Sequence, residues 1–280
     1  MSIENIQQPP QSEQFLLEGR RYAPYMIHDP GTRPNGQTIA LFHGISMPHT
    51  HWGELPDELG DLGYRTVAIG LAEKTHGLIP TLGNYARDAA TVMDGVIGEP
   101  AHLLGLSWGG ALVQQIAMDH PDKVRRVIAA ATLPAAPLPA LGIPDYKAAL
   151  AIASPHRSAK AMGNIYGGDF RNNPELAEEY TDIFERPIDA ASHTKQQVAL
   201  AWSSSLAWRR VIQRVAGTEH PETTFLYGDD DPIIPHRQVE AGARILGSKA
   251  IRILNGGHGF LLTRPHESAA LIDNILSQDG

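Results

Sequence analysis

The chain has 280 residues, 42% of them hydrophobic, with a formal net charge of -8 and no cysteine. That length supports one large α/β domain with a buried core, and the acidic balance offers no basic face for nucleic acid. The missing cysteines exclude disulfides, a thiol nucleophile and thiolate metal sites, no apolar run is long enough to span a bilayer, and no linker or internal repeat marks a boundary.

Residues 1–14 are rich in Gln, Pro and Glu and lack the cationic and apolar regions of a signal peptide. They are expected to form a disordered polar tail, with a cytoplasmic location as the default. Tyr22 to His28 is the expected opening strand, followed by turns at Asp29-Pro30-Gly31 and Pro34-Asn35-Gly36. Gln37 to Phe42 is a short apolar strand running into His43-Gly44-Ile45. His43, His49 and His51 cluster, but no carboxylate lies at ligand spacing and Pro48 interrupts any helical period. Loop or pocket-lining histidines are expected there, and no metal. Trp52 to Leu62 reads as a helix, Tyr64 to Ile69 as a strand and Thr81 to Ile97 as a helix.

Ala101 to Leu106 is an apolar run that reads as a buried strand, and Ala111 to His120 places Leu112 and Ile116 on one helical face. Between them the chain reads Gly105-Leu106-Ser107-Trp108-Gly109, with Gly110 behind it. This Gly-x-Ser-x-Gly pattern between strand and helix is the context of a nucleophile elbow. Side chains at positions 105 and 109 would collide where strand and helix cross, and the corner holds Ser107 in strained geometry above the sheet. His43-Gly44, at the end of an upstream strand, lies where a second oxyanion donor is expected, so the backbone N–H groups of Ile45 and Trp108 are the candidate pair. Gly44 lets the backbone come close to a substrate.

Val124 to Thr132 is another apolar strand; strands and helices alternating at this pace predict a mainly parallel sheet covered on both faces. From residue 133 to 219 the rhythm changes. Pro and Ala dominate 134–144, and helical stretches follow that carry Tyr146, Tyr166, Phe170, Tyr180, Phe184, Trp202 and Trp208. This insertion reads as a helical cap, with residues 15–132 and 220–280 forming the core. Thr223 to Tyr227 is a strand leading into Gly228-Asp229-Asp230-Asp231-Pro232, and Ile251 to Leu254 is the last strand before Gly256-Gly257-His258-Gly259-Phe260 and a final helix to about residue 277.

A serine hydroxyl needs a base within hydrogen-bond reach, and the base needs a carboxylate to fix its tautomer. Ser107, an aspartate within 229–231, and His258 occur in the order serine, acid, histidine, each after a strand. Chemistry alone does not choose among the three aspartates.

On these residues the chain resembles the α/β-hydrolases. Its acid loop, Gly228 to Pro235, is similar to that superfamily's Gly-x-x-Asp-x-x-x-Pro pattern, whose register implies Asp231. Within the superfamily the chain resembles intracellular poly(3-hydroxyalkanoate) depolymerases. The shared pieces are Leu103 to Leu112, Ile165-Tyr166-Gly167-Gly168 with Phe170-Arg171, Gly228 to Pro235, and Gly257 to Leu261 with Thr263-Arg264. The resemblance implies an α/β-hydrolase fold, a mainly parallel central sheet flanked by helices with a helical cap inserted after the sixth strand. It also implies a serine carboxyl-ester hydrolase acting through an acyl-enzyme on 3-hydroxyacyl esters, small or polymeric, with no cofactor. His43, Gly44, Tyr166 and Phe260 are the expected substrate contacts. One departure is the segment Gly70 to Gly77, which lacks the Gly-x-Gly-x-Ser turn of many members and leaves the substrate open. The alternative is a thioesterase, lactonase, cyclase or C–C hydrolase working on a small metabolite with the same three residues.

Overall fold

A computed structural model describes residues 12–18, 21–31, 33–45, 47–70, 80–135, 159–184, 194–196, 199, 217 and 220–278. Among them eight strands form one sheet in the order β1-β2-β4-β3-β5-β6-β7-β8. The strands are β1 (Glu13–Leu17), β2 (Arg21–His28), β3 (Thr38–Phe42), β4 (Arg65–Ile69), β5 (Ala101–Leu106), β6 (Val124–Ala130), β7 (Glu222–Gly228) and β8 (Lys249–Ile253). β3 to β8 run parallel, whereas β1 and β2 join as an antiparallel edge.

Strand alternation sorts the core onto the two faces of this sheet. Ala40, Phe42, Leu103, Val127 and Ala129 face one side and pack with Tyr85, Val92, Leu112 and Ile116 of the helices Leu82–Val96 and Trp108–Asp119. Ile39, Leu41, Leu104, Ile128 and Ala130 face the other, where they meet Leu55, Leu59, Ile272 and Ile275 of the helices Leu55–Asp61 and Pro265–Leu276. Both faces being covered explains why the central strands read as continuous apolar runs.

The element boundaries depart from expectation at several places, the last strand among them, which runs Lys249–Ile253 and not from Ile251 to Leu254. The expected tail through residue 14 ends sooner: Glu13 and Gln14 pair with Tyr25 and Pro24, and Phe15 fills the space beside Gly95. The helix expected from Trp52 starts at Leu55, because Gly53 has a φ of 57° and Pro56 sits in the first turn. The helix expected from Ala111 already begins at Trp108, since the chain turns in one residue. The strand expected to reach Thr132 ends at Ala130, because Ala131 takes a φ of 47° and donates its N–H to Leu226. Between β6 and β7 lie the helices Ala159–Tyr166, Gly168–Asn172 and Pro174–Phe184. Tyr146, Trp202, Trp208 and the unusual segment 71–77 fall outside the described residues.

Candidate active site

Ser107 follows β5 directly and has φ 54° and ψ -111°, an uncommon conformation for a residue with a side chain. Such a backbone costs on the order of 1–3 kcal/mol, and it persists where the surroundings over-determine it. Here they do. Ser107 N–H donates to the Ala130 carbonyl at 2.8 Å. A Cβ on Gly105 would lie 2.2 Å from the Gly109 carbonyl oxygen, and one on Gly109 would lie 2.0 Å from that of Phe42. Strands β3 and β5 and the start of the helix are thus in backbone contact, at distances only glycine allows. The first amide of that helix, on Trp108, has no acceptor within the helix and is a ready donor to an oxyanion.

The three aspartates after β7 take three different partners. Asp229 faces Arg252 at 3.7 Å. Asp230 accepts from the Gly168 amide at 2.8 Å and from Arg171. Asp231, whose side chain is fully buried, accepts from His258 Nδ1 at 2.8 Å through one oxygen. Its other oxygen accepts from the amides of Ile233 and Ile234 at 2.8 and 3.0 Å. With Nδ1 as the donor, the imidazole presents Nε2 as a proton acceptor. The His258 amide in turn donates to the Tyr166 carbonyl at 2.6 Å, and the Tyr166 ring lies 5.9 Å from the imidazole, centroid to centroid.

Ser107 and His258 line one small recess together with Gly44, Ile45 and Tyr166. Met47, Leu106, Gly259 and Leu262 complete its wall, and it holds about 20 Å³ of space open to a water molecule's centre. That is room for about one water. The expected contacts His43 and Phe260 do not line it: both are buried, at 2% and 1% exposure. His43 donates Nδ1–H to the Gly44 carbonyl at 2.8 Å, and burial, with the neighbouring His49 and His51 adding repulsion, pushes its pKa down to about 4. The Trp108 indole also turns away, donating to the Gln196 carbonyl at 2.9 Å and packing edge-on against Tyr85. Met47 and Leu262 were not anticipated, and nothing in their local sequence marks them.

The sheet order and the one-residue corner after β5 define the class of protein. The chain belongs to the alpha/beta hydrolase family, whose model matches residues 39–271. It is similar to the poly(3-hydroxyalkanoate) depolymerase of Ectopseudomonas oleovorans, with 32% identity over 201 residues covering 69% of this chain and 67% of that protein. Among solved structures it resembles the 2-hydroxy-6-oxo-6-phenylhexa-2,4-dienoate hydrolase of Rhodococcus sp. strain RHA1, with a TM-score of 0.73, 18% identity and coverage of 96% and 99% of the two chains. The meta-cleavage product hydrolase of Pseudomonas fluorescens IP01 gives a TM-score of 0.72 at 16% identity, covering 96% of this chain and 98% of that one. At these identities the structural likeness is one of fold. Among the described residues no helix is long and apolar enough to cross a membrane.

Proposed function

We propose that this α/β hydrolase is a serine carboxyl-ester hydrolase that works through an acyl-enzyme on 3-hydroxyacyl esters. The carrying observation is the buried Asp231–His258 pair opening onto the same recess as the strained Ser107. Ser107 Oγ attacks the ester carbonyl while His258 Nε2 takes its proton, and Asp231 holds the ring and stabilises the imidazolium. The amides of Ile45 and Trp108 receive the oxyanion. His258 returns the proton to the departing alcohol, and water then attacks the acyl-enzyme with His258 again as base. The substrate class rests on the similarity to the depolymerase, and residues 133–219 serve as the cap over the site.

A second reading keeps the same residues and takes a small metabolite: the apolar wall of Met47, Leu106 and Leu262 also suits a short acyl group. A p-nitrophenyl ester series from acetyl to dodecanoyl, with a 3-hydroxyacyl oligomer alongside, separates the two. Turnover of the oligomer, lost by roughly four to six orders of magnitude in Ser107→Ala, is the expected result. Serine-dependent turnover confined to short esters moves the substrate to a small metabolite. No turnover of any ester, and no labelling of Ser107 by a fluorophosphonate, overturns the hydrolase reading.

A further inference from the structure

The segment Gly167 to Arg171 has no role in the chemistry above, yet Gly167 and Gly168 are wedged between the two loops that carry Asp231 and His258. Gly167 and Gly168 both have positive φ, 64° and 49°. A Cβ on Gly167 would meet the Asp230 carbonyl oxygen at 2.0 Å, and one on Gly168 would meet the Gly257 amide nitrogen at 2.2 Å. The two glycines therefore let one strip of backbone touch the acid loop on one side and the histidine loop on the other. The loops also touch each other, since Asp230 N–H donates to the Gly256 carbonyl at 3.0 Å.

Hydrogen bonds key the wedge in place. The Asp230 carboxylate accepts from Gly168 N–H and from Arg171, while the Tyr166 carbonyl accepts from His258 N–H. Asp169 makes a second attachment, a forked pair with Arg264 at 2.8 and 2.9 Å. Arg264 extends it to the carbonyls of Leu254 and Asn255 ahead of the histidine loop. The side chains of Arg171 and Asp230 are 44% and 37% exposed, and an ion pair so open to water contributes little to stability. Its effect is expected in geometry.

We propose that Asp230 is a positioning residue of the hydrolytic site: it seats Tyr166-Gly167-Gly168 between the loops, and the Tyr166 carbonyl then holds the His258 backbone so that the imidazole faces Asp231 and Ser107 together. This rests on the reading of Ser107, Asp231 and His258 as the reacting groups. Asp230 itself touches no reacting atom.

The test compares Asp230→Ala, Asp230→Asn and Arg171→Ala with wild type in the full chain, recording kcat and KM on the best ester, the melting temperature and the near-UV circular dichroism. A misaligned catalytic group costs up to about 100-fold in rate. Asp230→Ala is expected to lose kcat on that scale while KM stays within about threefold and the fold signals stay close to wild type. Asp230→Asn, whose amide oxygen still accepts from Gly168, is expected to recover about tenfold of that loss. Arg171→Ala is expected to lose kcat less than Asp230→Ala does. Wild-type kcat in Asp230→Ala, or a kcat deficit in Asp230→Asn as large as in Asp230→Ala, overturns the proposal. If Asp230→Ala does not fold, Arg171→Ala decides: an unchanged kcat there also overturns it. Ester turnover by wild type that Ser107→Ala abolishes tests the hydrolase reading separately, so the two can fail apart.

Discussion

At Ser107 the chain turns from strand to helix within one residue, and the neighbours that force the turn are backbone atoms of β3, β5, β6 and the helix itself. At His258 the ring is held by the Asp231 carboxylate of the acid loop, and the backbone amide by the carbonyl of Tyr166, where a helix ends. The first arrangement depends on the absence of side chains at Gly105 and Gly109. The second adds to such close approaches, at Gly167 and Gly168, the polar side chains of Asp231, Asp230, Asp169 and Arg264. On the proposed reading, the serine stands on a corner fixed by backbone and the alignment of the histidine hangs on polar contacts, so the two halves should respond differently to the same kinds of change.

The sharpest contrast is reached by adding one methyl group. Gly109→Ala puts a Cβ against the Phe42 and His43 carbonyl oxygens, and backbone cannot swing aside as a side chain can. We expect a loss of at least about 3 kcal/mol of stability, read by urea denaturation, with little soluble protein. A variant as stable as wild type would break the picture of a corner fixed by backbone contact.

Acidity probes the same half next. His43 sits at the end of β3 with its pKa lowered to about 4, chiefly by burial. The unfolded chain takes up that proton near pH 6.5 and the folded chain only near pH 4, so the unfolded state binds more protons in between. Stability is therefore full above about pH 6.5 and falls as pH drops towards 4, by up to about 3 kcal/mol from this residue. His49 and His102 are shifted down to about 4 in the same way and add to the slope. His43→Asn should flatten the dependence of melting temperature on pH within that window. An unchanged slope would show that His43 takes up its proton equally easily in both states.

On the other half the expected effect is smaller. Asp169→Ala removes the forked partner of Arg264 and the acceptor of Thr263 Oγ1, both partly exposed. Hydrogen bonds to charged groups are worth about 1.5–3 kcal/mol when buried, and here we expect about 1–2 kcal/mol by denaturation. A loss as large as that of Gly109→Ala would erase the distinction between the two halves.

The same difference explains what could be read in advance. The elbow is spelled by contiguous residues whose types are dictated by close approach, so Gly105, Ser107 and Gly109 announce it. The parallel sheet was legible from its doubly buried apolar strands, whereas β1 was not, because Glu13, Gln14 and Leu16 are all exposed and only Phe15 and Leu17 pack inward. The choice among Asp229, Asp230 and Asp231 could not come from local chemistry. Their partners Arg252, Gly168, Arg171 and His258 arrive from other parts of the chain, and three like residues in a row carry no signal of which faces where. The wall residues Met47 and Leu262 were hidden for a plainer reason: an apolar side chain beside a pocket has the same sequence pattern as one in the core.

The pairing of β6 with β7 bears on how this protein could be re-engineered. The two strands are neighbours and parallel, with Arg126 opposite Glu222 and Ala130 opposite Leu226. The chain therefore leaves β6 at the sheet's carboxyl end and must re-enter β7 at its amino end, a return of roughly 20 Å at about 3.3 Å per residue. Part of the span 133–219 must therefore serve as that return path. A truncation joining the two strands by a tight turn would need β7 to run backwards, against the hydrogen-bond ladders it forms with β6 and β8. A shortened variant that keeps the sheet needs a crossover of about a dozen residues or more, wound in the right-handed sense.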